Sequence, residues 1–387
     1  MDADEVRRFL VDHGQPATSA TIAAAYRAVA GSLAPAAFAA GVRRVEAELL
    51  GAGVLQPLLD DESVCDVLVH GGGEVWADRG AGLAPSGLRL AGGEEQVRAL
   101  AVRLVTRSGR RLDAAQPFAD GVLPSGHRVH AVIPPVAADG TCISIRAVRP
   151  FRFDLAGLVA AGTVAPAFEE LLRTSIAFGI PLLISGQAGV GKTTLLAALL
   201  AEIDAASRIV LIEDTSEVLA DHPQLVRLQG RAANVEGAGA VSLRDLVRQA
   251  LRMRPDRLVL GEVRGAEVVD LLVALNTGHG GLCTLHANAV RDVPSRLEGL
   301  AALAGTSRPA LHSLLAGSLP VVVHLERVAG ERRVVEMGVS MLGPDGLVGV
   351  SSCLRLDRDR VVPGPGLDVV ERRFRAVRLG SVELGAP

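Results

Sequence analysis

Lysine is all but absent from this chain of 387 residues: of its 40 basic residues 39 are arginine, and Lys192 is the one lysine. Arginine serves wherever else a cation is needed, so position 192 asks for something a guanidinium fork does not give. Aromatic residues are scarce too, with one Trp, one Tyr and eight Phe. That is a poor supply of stacking rings for a single-stranded nucleic-acid groove. The net charge of -3 provides no global basic field to hold DNA or RNA, so no nucleic-acid partner is expected. The four cysteines, Cys65, Cys142, Cys283 and Cys353, are far apart and show no CxxC or Cys/His ligand spacing. A disulfide framework and a structural zinc are therefore not expected, and a reducing, cytosolic location fits. No run of about 18 residues is both apolar and uncharged, so no integral membrane segment is expected. Met1-Asp2-Ala3-Asp4-Glu5 places acids where a secretory leader carries bases.

What is present is enough apolar residue, 49%, to build a sizeable core, in a chain longer than one domain usually needs. Residues 1–60 read as a helical N-terminal extension: good helix formers over 5–10, 21–30 and 35–50 are broken by Gly and Pro. Residues 61–150 read as a small α+β unit. It has a hairpin over 65–69 and 74–77, an amphipathic helix over 94–107 stopped by Gly109, and strands over 121–123, 128–133 and 141–148. Arg149-Pro150 opens a proline-bearing linker, 151–163. From 164 to 387 strands and helices alternate, which predicts an α/β domain with a mostly parallel sheet, followed from Pro320 by a β-rich tail. Ser242 with Asp245, and Asn288, are expected to cap helices, and Gly278 to end one.

Four strand ends carry chemistry. Gly186-Gln187-Ala188-Gly189-Val190-Gly191-Lys192-Thr193 satisfies GxxxxGK[ST] between an apolar run and a helical one. Its glycines let backbone N–H groups turn inward around a phosphate chain at the positive end of a helix. Lys192 would reach the β- and γ-phosphates, Thr193 would ligate Mg²⁺, and Thr194 would bond the α-phosphate. A buried run ending in Gly261-Glu262 aims one carboxylate, without the Asp that often precedes it, at an attacking water. Glu213-Asp214-Thr215-Ser216-Glu217 follows another such run and supplies further acids, Glu213, Asp214 and Glu217, on the same sheet edge. His286, after Thr284-Leu285, is placed to contact a γ-phosphate or sense its loss; His279 is a weaker candidate.

These motifs, in this order, with Leu246-Val247-Arg248-Gln249-Ala250-Leu251-Arg252-Met253-Arg254-Pro255-Asp256 and Gly261-Glu262-Val263-Arg264-Gly265 between them, resemble the secretion ATPase superfamily. These are the hexameric motors of type II and type IV secretion and of pilus assembly, and the wording is closest to the Flp/Tad, CpaF-like branch. The resemblance spans roughly residues 50–345 and includes Leu123-Pro124-Ser125-Gly126-His127-Arg128 with Ser144-Ile145-Arg146 in the N-terminal domain. It implies a RecA-like C-terminal ATPase domain, ATP with Mg²⁺, a homo-hexamer, a platform partner at the inner membrane, and a cytoplasmic, membrane-peripheral location. It also implies that the N-terminal domain lends arginines, Arg128 and Arg146, to the nucleotide. Val122 stands where relatives often have an arginine, and the tetracysteine zinc element of some type II members is absent. Two other readings are a DNA-translocating or helicase-like P-loop motor and a nucleotide-binding structural subunit that hardly hydrolyses.

Overall fold

The computed structural model describes residues 3–80, 82–147, 153–231, 233, 238–318 and 320–383. The chain forms two compact units, Met1–Arg149 and Pro150–Pro387.

The first unit opens with three helices, α1 (Ala3–Asp12), α2 (Ser19–Ala30) and α3 (Pro35–Leu49). Val6, Leu10, Ile22, Ala25, Tyr26 and Val45 form their shared core. A reciprocal Thr18–Thr21 capping box starts α2, and Pro35 in the first turn starts α3. There follow α4 (Gln56–Asp60), β1 (Asp66–Val69), β2 (Glu74–Asp78), β3 (Leu83–Arg89), α5 (Gly93–Arg107), β4 (Phe118–Val122), β5 (Arg128–Val132) and β6 (Cys142–Arg146). The strands make one antiparallel sheet in the order β3-β2-β1-β6-β5-β4. Alternate residues such as Val67, Val129 and Ile145 face a core shared with Leu59 and Leu104. α5 ends in paired bonds from Gly109 N to Thr106 O and from Arg110 N to Val105 O, with Gly109 at φ 73°, the left-handed stop its glycine was expected to give. β3 was not expected. Its Pro85 and Gly87 weaken the strand signal, and they are tolerated because it is an edge strand. Val148, the expected end of the last strand, and the Arg149-Pro150 boundary lie outside the described residues.

The second unit runs α6 (Leu155–Ala160), α7 (Pro166–Ala177), β7 (Leu182–Gly186), α8 (Lys192–Ala201), β8 (Ile209–Glu213), β9 (Leu225–Gln229), α9 (Leu243–Ala250), β10 (Arg257–Leu260), α10 (Glu267–Asn276), β11 (Gly280–Leu285), α11 (Val293–Ala302), α12 (Arg308–Ser318), β12 (Val321–Val328), β13 (Glu331–Leu342), β14 (Val348–Asp357), β15 (Arg360–Pro363) and α13 (Leu367–Glu383). The sheet order is β15-β14-β13-β12-β7-β11-β10-β8-β9. From β12 to β9 the six strands are parallel; from β12 to β15 they are antiparallel. Leu182 and Ile184 belong to the core beside α6–α8, and Leu183 to the core beside α9–α12. A strand buried on both faces reads as a continuous apolar run, which is why these strands stand out in the sequence. The tail is not a separate layer: β12 pairs with β7 and continues the same sheet.

Ser242 and Asp245 form the expected capping box. Asn288 does not cap: a short turn, Val290–Asp292, intervenes, and α11 starts at Val293 with Pro294 in its first turn. The helix expected to reach residue 254 stops at Ala250 and tightens over Leu251–Met253, because Pro255 disfavours helical backbone before it and Arg254 turns to φ 55°. The whole is a mixed α/β architecture.

Candidate functional site

Four parallel neighbours, β7, β11, β10 and β8, end on the same edge of the sheet, and their next residues form the candidate site. Gly186 leaves β7 at φ 150°, where a Cβ would lie 2.5 Å from Leu325 O and 2.8 Å from Val190 Cγ2. Gly189 and Gly191 also take positive φ, 72° and 99°. Only glycine makes this path cheaply, and it wraps the loop around the N-terminus of α8. Gln187, Ala188 and Gly189 are exposed; Thr193 and Thr194, half-buried, open the helix.

Lys192 is 7% exposed, and its Nζ donates to Gly186 O at 3.0 Å and Gln187 O at 2.8 Å. A compact ammonium fits between two carbonyls of its own loop, which accounts for the single retained lysine. Burial pushes its pKa down, partly opposed by the Glu262 carboxylate. Nζ also lies 3.4 Å from His286 Nδ1. On the ring's other side, Nε2 stands 2.6 Å from Glu262 Oε1, a close ion-pair separation whose direction is poor for a hydrogen bond. Arg264 Nε donates to Glu262 Oε2 at 2.7 Å and its Nη2 reaches the same oxygen. Lys192, His286, Glu262 and Arg264 therefore form one continuous charged chain beside the phosphate loop. Burial, and then the Lys192 ammonium, hold the His286 pKa below its ordinary value. A neutral ring accepting from Lys192 at Nδ1 places its Nε2–H on the side of Glu262.

The acidic turn divides its labour. Glu213 is 5% exposed, and its Oε1 accepts from the backbone N–H groups of Glu217 and Val218, both at 2.9 Å. This carboxylate folds the turn back on itself. A Cβ at residue 261 would lie 2.8 Å from Glu213 Cγ, so Gly261, where an Asp often precedes the glutamate, is required by the buried Glu213 beside it. Asp214, exposed, and Glu217, half-buried, sit on the same turn. Thr284 Oγ1 donates to Gly261 O at 2.6 Å, tying β11 to the end of β10. Among the described residues there is no cluster of three His, Cys, Asp or Glu fit to hold a metal.

Two cations here escaped the sequence reading. The sequence gives Arg264 a place in a motif but no role, and Arg296 neither. Arg296 acts electrostatically on His286 and lines, with Gln187, His286 and Asn288, an open cavity of about 700 Å³ beside the loop. Glu267 belongs to the same motif, Gly261 to Glu267, and is likewise given no role by the sequence: its buried carboxylate accepts from Arg264 N and Gly265 N at 2.7 and 2.8 Å and so shapes the segment that carries Arg264. His279 lies before β11, at the edge opposite the site, with Nδ1 at 3.0 Å from Pro255 O.

Arg128 and Arg146 belong to the first unit. They face each other across β5 and β6, and the row continues to Val122 on one side and Asp66 on the other. Arg146 Nε donates to Asp66 Oδ1 at 3.1 Å.

Residues 48–346 match the family model described as Type II/IV secretion system protein. A putative conjugal transfer protein of Mycobacterium tuberculosis is 52% identical over 308 residues, 78% of this chain and 87% of that one. Type IV secretion system protein PtlH of Bordetella pertussis is 32% identical over 322 residues, 73% of this chain and 92% of its own. The pilus retraction motor PilT has the same fold at 18% identity, with TM-score 0.53 over 84% of this chain and 87% of that one. The family match extends across both units, and the motifs that build the site lie inside it. The chain belongs to the type II/IV secretion system protein family.

Proposed function

We propose that this chain is a Mg²⁺-dependent ATP hydrolase that works as a homo-hexameric motor, with the second unit as its RecA-like catalytic domain. One observation carries the reading: the lysine of a phosphate-wrapping loop, a histidine and a glutamate from three neighbouring strand ends meet within hydrogen-bonding or ion-pair distance. In the proposed reaction the loop from Gly186 to Thr194 holds the phosphate chain, with Lys192 leaving its carbonyls for the β- and γ-phosphate oxygens. Glu262 takes the proton of the attacking water, and His286 keeps that carboxylate aimed while sensing the γ-phosphate through Lys192. Mg²⁺, when bound, neutralises charge on the phosphate oxygens; Thr193 would hold it, with the acids of the turn after β8 as further support. Arg128 and Arg146 complete the phosphate contacts, as the family resemblance implies.

The work done is pilus assembly of the Flp/Tad kind, or type II or type IV secretion, by a motor docked on a membrane platform at the cytoplasmic face. Among the described residues no helix is long and apolar enough to cross a membrane. A second reading, a motor for conjugal DNA transfer, is favoured by the name of the 52% identical relative. The purified chain should release phosphate from ATP in Mg²⁺, and Lys192→Ala should abolish the release. With a non-hydrolysable analogue it should assemble into a hexamer by native mass spectrometry. A chain that binds ATP without turnover and stays monomeric would overturn the reading.

A further inference from the structure

Within the first unit, α3, α4, α5 and the β4–β5 turn enclose a cavity of about 490 Å³ that the proposed reaction does not use. Its size falls within the range of small-molecule sites, about 300–1,000 Å³. One wall is apolar, with Leu59, Leu104 and Leu123 among its residues, and all three are buried. The polar groups on the other walls include Arg107, the last residue of α5, and Ser125, in the turn.

Arg107 is the group out of balance. Its Nη1 is buried, with no acceptor within reach among the described residues. One helical turn earlier, Arg103 likewise buries an Nε–H without an acceptor, though its Nη1 pairs with the Glu48 side chain. Two guanidiniums four residues apart on one helix repel each other, and a buried N–H without an acceptor is costly until something answers it. Two acids also line the cavity: Asp60 accepts from Gln56 Nε2 at 2.8 Å and is exposed, while Glu46 and Arg43, one turn apart on α3, add one charge of each sign. Arg107 Nη1 is left without an acceptor among the described residues.

We propose that this cavity is a binding site for a small organic anion, an oxyanion head paired with Arg107 and Ser125 on a short apolar body packed against Leu59, Leu104 and Leu123. A planar guanidinium suits an oxyanion that accepts two parallel N–H bonds, and the serine hydroxyl supplies a further donor. The apolar wall sets the second requirement, since a bare phosphate would leave most of the cavity unfilled. The turn carrying Ser125 leads directly into Arg128 at the start of β5, so occupancy is positioned to be felt along that hairpin. The binding claim itself rests on the cavity alone, not on the proposed ATPase reading.

Hexyl phosphate is the probe, titrated by calorimetry into the full chain with the phosphate loop saturated by Mg²⁺ and a non-hydrolysable ATP analogue. Saturable binding at one per chain is expected, with inorganic phosphate and hexanol each weaker by about tenfold or more, because each offers only half of the recognition. Arg107→Gln should weaken hexyl phosphate by about tenfold or more. Ala47→Leu, which fills the cavity from α3 with a good helix former, should abolish binding while circular dichroism stays unchanged. Binding should survive in Lys192→Ala, which separates this site from the phosphate loop. No saturable binding at millimolar probe, undiminished binding in Arg107→Gln or in Ala47→Leu, or loss of binding in Lys192→Ala would overturn the proposal.

Discussion

Replacing Glu262 by Gln keeps the side chain's shape and removes its charge, which separates catalysis from binding at this site. In the structure the carboxylate is held by Arg264, with Nε at 2.7 Å, and faces His286 Nε2 at 2.6 Å. Arg264 is 57% exposed, so losing this pair should cost at most about 1 kcal/mol of stability after solvent screening. Glu262 does not touch the loop carbonyls that hold Lys192, and the glycine-lined cradle stays intact. ATP affinity should therefore change little. Turnover should not survive: losing a positioned general base lowers rates by about 10²–10⁴, or about 2.7–5.4 kcal/mol of transition-state stabilisation. The charge change also predicts a direction for its neighbours. Glu262 is what partly restores the proton affinities of Lys192 and His286, so both should titrate lower in the variant. The assay is steady-state phosphate release beside fluorescent-nucleotide binding, with melting temperature as the control. Turnover within about threefold of the parent, at unchanged affinity, would refute the assignment of Glu262 as the base.

Lys192→Arg should weaken ATP binding nearly as much as Lys192→Ala, because a guanidinium does not fit where Nζ sits between carbonyls at 3.0 and 2.8 Å; equilibrium binding tests it. His286 has a lowered folded pKa, so the unfolded chain binds more protons between that value and the ordinary 6.5, and stability should fall as pH drops through this window. Thermal melts from pH 7.5 to 5.5 should show a smaller loss in His286→Gln than in the parent. Gly261→Ala should destabilise by about 1–3 kcal/mol in urea unfolding, since its Cβ would press on Glu213 Cγ at 2.8 Å while that carboxylate is tied to two backbone N–H groups. Arg128→Ala or Arg146→Ala should lower turnover far more than ATP affinity if these residues answer transition-state charge, and near-normal kinetics in both would leave them as surface arginines.

How much of this was legible in the sequence depended on how local the cause was. The parallel strands were readable because burial on both faces makes them apolar throughout, and the phosphate loop because its glycines and lysine are set by backbone path and ligand. Ser242 and Gly109 were readable because a cap is a matter of a few neighbouring residues. β3, β9 and α12 were not. β3 carries Pro and Gly on an exposed edge, β9 is an edge strand only half-buried, and α12 takes its place from packing against α10 and α11 rather than from a strong pattern of its own. Convergence of strand ends is what brings Lys192, Glu262 and His286 close together. It could not distinguish Glu213, which turns back to its own backbone, from an acid that faces the pocket, because that depends on side-chain direction.

Glu213 and Gly261 explain each other, and the pair shows how a departure from a familiar motif is compensated. A carboxylate at 261 would stand on β10 beside the end of β8, where Glu213 already fills the space. With that space taken, the chain keeps its one strand-end acid at Glu262, one residue further on and clear of Glu213. There it is steadied from both sides, by Arg264 two residues away in sequence and by His286 from the neighbouring strand. Arg264 is in turn fixed by Glu267, which accepts its backbone N–H.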